Sequence, residues 1–423
     1  MSYETIRDAF VVAGYEFVPQ EPPMSDARRG WRPDVVAWAA DINGTLVPWA
    51  AVEMKKASAP ARPEVGLAAL ARSRDLLGTT DHYVVVDGTD WYRADPGIQR
   101  LVRVDGPEPP PYGGHGEIAD VDFAVTLLSD ELWKAADRNR GRAPIRGGHP
   151  VNPEDFLKLA GFRTHTGTWV PIRKETLWQA RRRALVDFER RGREGELFTS
   201  HKTVARAVAE LAGAKLTDDL LDPFCGAGSF LWDSIEHAER HGTGLSTVRG
   251  YDLNQRTADV ARSIADVAPI PVEIIAADAL QTDVARSACV VSAPPFGLKF
   301  SDHHELLDGS KTRDGDLVVL DRILRLLKAG GRAVLHLPLN VAFRANAEPY
   351  RRYIATNFRV AAILGLPVGA VPGASVRTVL LVIDVSQAGD TFVAQLGEDW
   401  ETQLAPDGAA LEAALKHIDG EKL

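Results

Sequence analysis

The chain has 423 residues and only two cysteines, Cys225 and Cys289. They lie so far apart that neither a disulfide framework nor a metal-ligand spacing can be built from them. No apolar run is long enough to span a membrane. The N-terminus, MSYETIRDAF, lacks the charged-then-apolar plan of a signal peptide. Internal repeats and low-complexity tracts are missing too. These absences together point to a cytoplasmic protein with no membrane partner. Overall basic charge is also lacking. The formal net charge is −9, which argues against a generic basic nucleic-acid coat.

What is present is a hydrophobic content of 45%, that of a globular protein, in a chain long enough for two or three domains. Positive charge is concentrated between Lys134 and Lys202. That stretch holds Arg138, Arg140, Arg142, Arg146, Arg173, Lys174, Arg181, Arg182, Arg183, Arg190, Arg191 and Arg193. It reads either as a solvated helix face or as a phosphate-contacting surface.

Residues 1–106 read as a small α/β unit. Glu4 to Gly14 has helical spacing, with Ile6, Phe10 and Val11 on one face, and ends at glycine. Asn43-Gly44 and Asp87-Gly88 are turn signals between strand-like runs. The stretch GPEPPPYGG opens a linker and a mainly helical connector over 107–193. From Leu197 to about Val385, strand and helix patterns alternate, and candidate strands end at Asp222, Asp252, Ala277, Ser292, Leu337, Leu366 and Asp384. Such alternation predicts a doubly wound, mostly parallel, Rossmann-like sheet of seven strands over 194–390. Residues 391–423 read as a tail or a single helix. Ligands of such sheets bind at the carboxyl ends of the strands.

The run LLDPFCGAGSFL is strand, glycine loop, helix. Gly226 and Gly228 let the backbone turn tightly and approach a ligand. A lone glycine loop could hold a dinucleotide or simply form a turn. Here two further acids, Asp252 and Asp278, close the next two strands. Alone, Asp252 could be a helix N-cap; three acids at successive strand ends favour a ligand.

Residues 194–385 resemble the N6-adenine DNA methyltransferases, especially the modification subunits of type I restriction enzymes. GELFTSHKTVARAVAEL resembles their leading Gly-Glu-Phe-Phe-Thr-Pro motif, with departures at Leu197 and Ser200. DPFCGAGSFL resembles their Asp-Pro-x-Cys-Gly-x-Gly-x-Phe-Leu, and VVSAPPFG stands where Asn-Pro-Pro-Phe-Gly belongs. The resemblance implies an S-adenosylmethionine pocket. Phe198 and Thr199 would line its methionine end, with Asp222 near the amino group. Pro223, Phe224, Gly226 and Gly228 would form the loop against the ligand. Asp252 would bind ribose, Leu253 would pack on the adenine ring, and Asp278 would accept the adenine amino group.

It also implies a catalytic loop of Ser292, Ala293, Pro294, Pro295 and Phe296. In the family a target adenine is flipped out of DNA and stacks on the aromatic of this loop. The residue before the prolines accepts a hydrogen bond from the adenine amino group. Ala293 has no side-chain acceptor. Ser292 stands one residue early, so its side chain points to the other face of the strand. Losing one such preorganised contact typically lowers the rate by ~10²–10³. The carbonyl of Pro294 remains.

In the N-terminal unit, a strand pair would bring Asp34 beside Glu53 and Lys55, which share one strand face. Two carboxylates and a lysine can hold Mg²⁺, with Asp34 and Glu53 as ligands, and activate water for phosphodiester cleavage. The same residues fit a surface charge pair. The pattern resembles PD-(D/E)xK nucleases, and more closely the nuclease domain of type I restriction subunits.

The expectation is therefore a DNA adenine-N6 methyltransferase-like component of a restriction-modification or related defence system. Its alternatives are a non-catalytic module that binds DNA or cofactor, and a nuclease positioned by a methyltransferase-like half. Only about forty residues follow Val382, so base specificity is expected from a partner subunit, or else the chain reads no defined site.

Overall fold

A computed structural model describes residues 3–18, 33–56, 62–139, 158–164, 167–191, 200–342 and 344–420. The chain forms two compact units, Met1–Phe188 and Glu189–Leu423.

The first unit carries strands β1 (Val35–Ala40), β2 (Leu46–Lys55), β3 (Asp81–Val86), β4 (Asp90–Ala94) and β5 (Leu101–Val104), paired in chain order. All pairs are antiparallel except β2 with β3, which the helix Leu67–Leu77 connects. Side chains alternate across a strand, so the two faces bury different sets. Val52 and Val85 pack with Ile6 and Phe10 of the helix Tyr3–Val12. Ala51, Val84 and Val86 pack with Leu70. Both expected turns form: Gly44 has φ +75°, and Asp87 and Gly88 have φ +50° and +78°. Two adjacent left-handed residues suit a two-residue hairpin turn.

The expected connector contributes the helices Val121–Asn139 and Lys174–Arg191 and a short hairpin, β6 (Gly161–Arg163) with β7 (Trp169–Pro171). Among the described residues, several of its arginines are engaged within the unit. Arg181 is buried and donates to the Leu159 carbonyl at 3.0 Å. Arg173 pairs with Glu117 at 2.8 Å and Arg183 with Asp122 at 2.6 Å. Arg182 lies over the Trp178 ring. The side chains of Arg138, Arg140, Arg142, Arg146, Arg191 and Arg193 fall outside the described residues.

The second unit is built on one sheet. Its strands are β8 (Asp219–Asp222), β9 (Thr247–Asp252), β10 (Val272–Ala276), β11 (Ser287–Ser292), β14 (Leu327–Pro338), β15 (Arg359–Leu366), β16 (Thr378–Asp384) and β17 (Phe392–Gln395). The order is β10-β9-β8-β11-β14-β16-β15-β17. Only β16 runs against its neighbours. The chain winds outward from β8 to β10, then returns at β11 on β8's other side. That reversal opens a crevice at the carboxyl ends of β8 and β11, where doubly wound sheets bind ligands. A polar hairpin, β12 (Lys299–Glu305) with β13 (Lys311–Asp314), follows β11. One sheet face packs Leu221, Val290 and Leu335 against Leu317 and Ile323 of the helix Gly315–Arg325 and Tyr350 of the helix Glu348–Asn357.

The doubly wound, mostly parallel sheet is as the sequence predicts, with one addition. It has eight strands rather than seven, because β17 pairs in parallel with β15. The segment read as a tail or single helix thus begins with a strand and continues through the helices Trp400–Gln403 and Ala409–Asp419. Buried charge anchors it. Arg332 of β14 donates to Asp384 at 2.7 Å and to Asp419 at 2.8 Å. Removing one partner of so buried a pair strands the other. Among the described residues no helix is long and apolar enough to cross a membrane.

Candidate cofactor and catalytic site

The acids of the three strand ends stand at the crevice. Asp222 closes β8 and is 2% exposed. Its Oδ1 accepts from the Phe224 amide at 3.0 Å and from the Ser292 hydroxyl at 2.7 Å. Burial pushes its carboxyl up to about 7, despite those two hydrogen bonds, and the charge of Asp252 adds to the rise.

Asp252 closes β9. Its Oδ2 accepts from the Gly226 amide at 3.0 Å and its Oδ1 from the Asn254 amide at 2.8 Å. Burial raises this carboxyl as well. Asp252 is not the N-cap of the helix that follows. Asn254 fills that place, its side chain accepting from Thr257 N at the start of the helix Gln255–Ala265. Each carboxylate oxygen of Asp252 keeps a further lone pair. Leu253 is 75% exposed, an uncovered aliphatic surface directly beside that acid.

Asp278 lies two residues beyond β10, not at its last residue. Its Oδ1 accepts from the Leu280 amide and its Oδ2 from Gln281 Nε2, both at 2.9 Å. Three acids of one sheet edge are thus held by main-chain donors before any ligand arrives.

The glycine loop between them has the shape its residues require. Gly226 and Gly228 have φ +55° and +87°, a region costly for residues with a Cβ. A Cβ on Gly228 would also lie 2.4 Å from the Trp232 ring. Gly228 caps the helix Ser229–His241 with no side-chain hydrogen bond, so the first amides of that helix have no side-chain cap. Pro223 is buried, and Phe224 is half-buried against the core cluster. Gly250 had no obvious sequence role. A Cβ there would meet Ile274, Cys225 and Leu231, each within 2.9 Å, so it lets β9 pass beneath the loop. Phe198 and Thr199 lie outside the described residues.

Ser292 is fully buried and its hydroxyl donates to Asp222. It therefore faces the neighbouring strand, as alternation requires, and braces an acid. Ala293 and Phe296 are half-buried, Pro294 is buried and Pro295 exposed. The Phe296 ring meets His336 edge-on, with centroids 6.1 Å apart. His336 is buried against Thr378 at 2.7 Å, and burial lowers its imidazole to about 4. The loop ends in a brace. Gly297 N donates to Asp316 Oδ1 at 2.8 Å, and Arg344 holds both Asp316 and Asp314. His336, Asp316 and Arg344 escape sequence reasoning, because only the fold brings them to the loop.

In the first unit, Asp34 sits one residue before β1. Its Oδ2 accepts from the Met54 amide at 2.7 Å. Glu53 is 6% exposed and pairs with Lys55 at 3.0 Å. Burial raises the Glu53 carboxyl, and the charge of Asp34 raises it further. The three residues do come together.

A doubly wound sheet with acids at three neighbouring strand ends and a left-handed glycine loop between them has the architecture of the class I methyltransferase fold. A solved class I S-adenosylmethionine-dependent methyltransferase from Listeria monocytogenes shares that fold. Its TM-score is 0.53 at 16% identity, over 71% of this chain and 99% of that one. The chain belongs to the N-6 DNA methylase family, whose model matches residues 184–403. It is 26% identical over 223 residues to the type I restriction enzyme MpnII methylase subunit of Mycoplasma pneumoniae. The match takes in 45% of this chain and 40% of that subunit, so the chain spans well under half of the relative's length. A type I restriction-modification methyltransferase subunit from Streptococcus thermophilus is similar at 20% identity and a TM-score of 0.49, over 59% of this chain and 58% of that one.

Proposed function

We propose that the chain is an S-adenosylmethionine-dependent DNA adenine-N6 methyltransferase component of a type I-like restriction-modification or related defence system. Ala293 slows its methyl transfer. The observation that carries this reading is the crevice of Asp222, Asp252 and Asp278 around a left-handed glycine loop, in a chain of the N-6 DNA methylase family.

S-adenosylmethionine would supply a methyl group on a sulfonium sulfur. Asp252, with its spare lone pairs, would take the ribose hydroxyls, and exposed Leu253 would cover the adenine ring. Asp278 would take the adenine amino group, and Asp222 would sit near the methionine end. Phe198 and Thr199 remain family-based assignments to that end. On the DNA side, Phe296 would stack on a flipped adenine, held in place by the edge contact to His336. The Pro294 carbonyl would accept one amino proton of the adenine, and Ala293 leaves the second without a side-chain acceptor. Ser292 does not replace it, because its hydroxyl is committed to Asp222. DNA and a specificity subunit are the proposed partners. The test is transfer of tritiated methyl from S-adenosylmethionine to DNA, with and without neighbouring subunits. Slow, cofactor-dependent labelling of adenine supports the reading. Labelling of cytosine overturns it.

A second reading concerns the first unit, and the grouping of Asp34, Glu53 and Lys55 favours it. Asp34 and Glu53 would hold Mg²⁺ and Lys55 would orient the attacking water. DNA nicking that needs a divalent ion should vanish in Asp34→Ala and in Lys55→Ala. Cleavage that survives both substitutions rules this site out.

A further inference from the structure

We propose that Glu210, His237 and His241 form a zinc site that staples the helix Lys202–Ala212 to the helix Ser229–His241. Each residue offers one ligand atom, and these atoms lie within 4.8 Å of one another. His237 and His241 are one helical turn apart and so share a face; their ring centroids are 4.3 Å apart. Glu210 comes from the neighbouring helix, with its Oε1 3.2 Å from His237 Nδ1.

Three details separate this cluster from an ordinary ion pair. The buried Nδ1 meets Glu210 Oε1 at 3.2 Å, longer than the usual charge-assisted hydrogen bond. The His237 side chain is 5% exposed. A buried nitrogen held so loosely against a carboxylate leaves room for a cation to bridge the two more tightly. Second, the ring is wedged: a Cβ on Gly213 would come within 2.9 Å of His237 Nε2, so backbone fixes the side turned away from Glu210. Third, the spacing of His237 and Glu210 suits the ion. Zinc bonds nitrogen at ~2.0–2.1 Å and carboxylate oxygen at ~2.0–2.2 Å, so tetrahedral ligand atoms stand about 3.3 Å apart.

Two imidazoles and one carboxylate suit zinc, whereas Mg²⁺ and Ca²⁺ prefer oxygen-only sets. Exposed His241 gives the ion an entry path, and a fourth position is left to water. Arg240 Nη2 is 3.9 Å from the same Glu210 oxygen, too far to hydrogen-bond it and compete with a metal. The site sits at the far end of the helix Ser229–His241, about 18 Å from the glycine loop at ~1.5 Å per residue. It therefore takes no part in methyl transfer. Its effect is on the two helices that flank β8.

The test uses the full chain after chelation. Co²⁺ is titrated first and followed by visible absorption; Zn²⁺ is then followed by calorimetry and thermal unfolding. One equivalent should bind, Co²⁺ should give the intense band of a tetrahedral site, and Zn²⁺ should raise the unfolding temperature. Glu210→Gln and His241→Ala should each weaken binding by at least about tenfold, in line with loss of a ligand. His241 is exposed, so its variant keeps the fold, which circular dichroism checks. Glu398→Gln, at an exposed carboxylate outside the cluster, should bind zinc as the wild type does. Equal affinity in His241→Ala would overturn the proposal. So would the absence of both a tetrahedral band and a thermal shift in the wild type; Glu210 and His237 would then be a plain ion pair.

Discussion

The turn after β8 and the turn after β11 lie side by side at one edge of the same sheet, yet they differ in how completely they are equipped. After β8, Asp222 accepts from two donors, Gly226 N donates to Asp252, and two left-handed glycines shape the backbone. After β11, the backbone is braced as firmly, through Gly297, Asp316 and Arg344. The side chain that should meet the substrate is a methyl group, Ala293. On the proposed reading, holding a cofactor and activating a substrate are separable in this fold: the first turn keeps its acids and glycines while the second lacks one acceptor.

The largest effect expected is at the weaker turn. Ala293→Asn restores an amide oxygen before the prolines, and methyl transfer to DNA should rise by up to ~10²–10³. Tritium incorporation measures it. Robust labelling by the wild type would erase the contrast between the two turns.

Next come the glycines. Gly228→Ala combines left-handed strain with a clash on Trp232, and should destabilise the protein by about 2–5 kcal/mol. Gly297 has φ +70° but open space around it, so Gly297→Ala should cost only about 1–2 kcal/mol. Denaturant midpoints of the two variants compare them directly. Equal losses would mean that the β8 turn is no more tightly packed than its neighbour.

Asp252→Ala should weaken cofactor binding by about 1–3 kcal/mol, through loss of its contacts and of the Gly226 amide's partner. Unchanged affinity would remove Asp252 from the site.

A further effect is one of pH. The Asp222 carboxyl rises from an ordinary 3.8 to about 7 on burial, so it takes up a proton on folding in that window. Its contribution to stability falls as pH rises from about 4 to about 7. Relative to wild type, Asp222→Asn should gain stability across that window. A parallel pH profile would show that the carboxyl is not shifted. His336 acts oppositely in both forms: burial holds it near 4, so its contribution is present above the usual imidazole range and is lost as pH falls toward about 4.

Much of this was legible in the sequence, for a physical reason. Parallel strands buried on both faces read as apolar runs, so the ends of β8, β9 and β11 are marked by the first acid or proline that interrupts them. The glycine loop is legible because only glycine tolerates φ +87° at residue 228. The hidden parts depend on long-range pairing. β17 is four residues long and exposed at every second position, too short to stand out. The partnership of Ser292 with Asp222 joins residues 70 apart, and that of Arg332 with Asp419 residues 87 apart. No local pattern announces either.

The most direct test is calorimetric titration of S-adenosylmethionine into the intact wild-type chain, repeated on Ala293→Asn. One equivalent should bind to each, with the same affinity, because residue 293 lies outside the proposed cofactor turn. A folded wild-type chain that binds no cofactor would contradict the account at its centre.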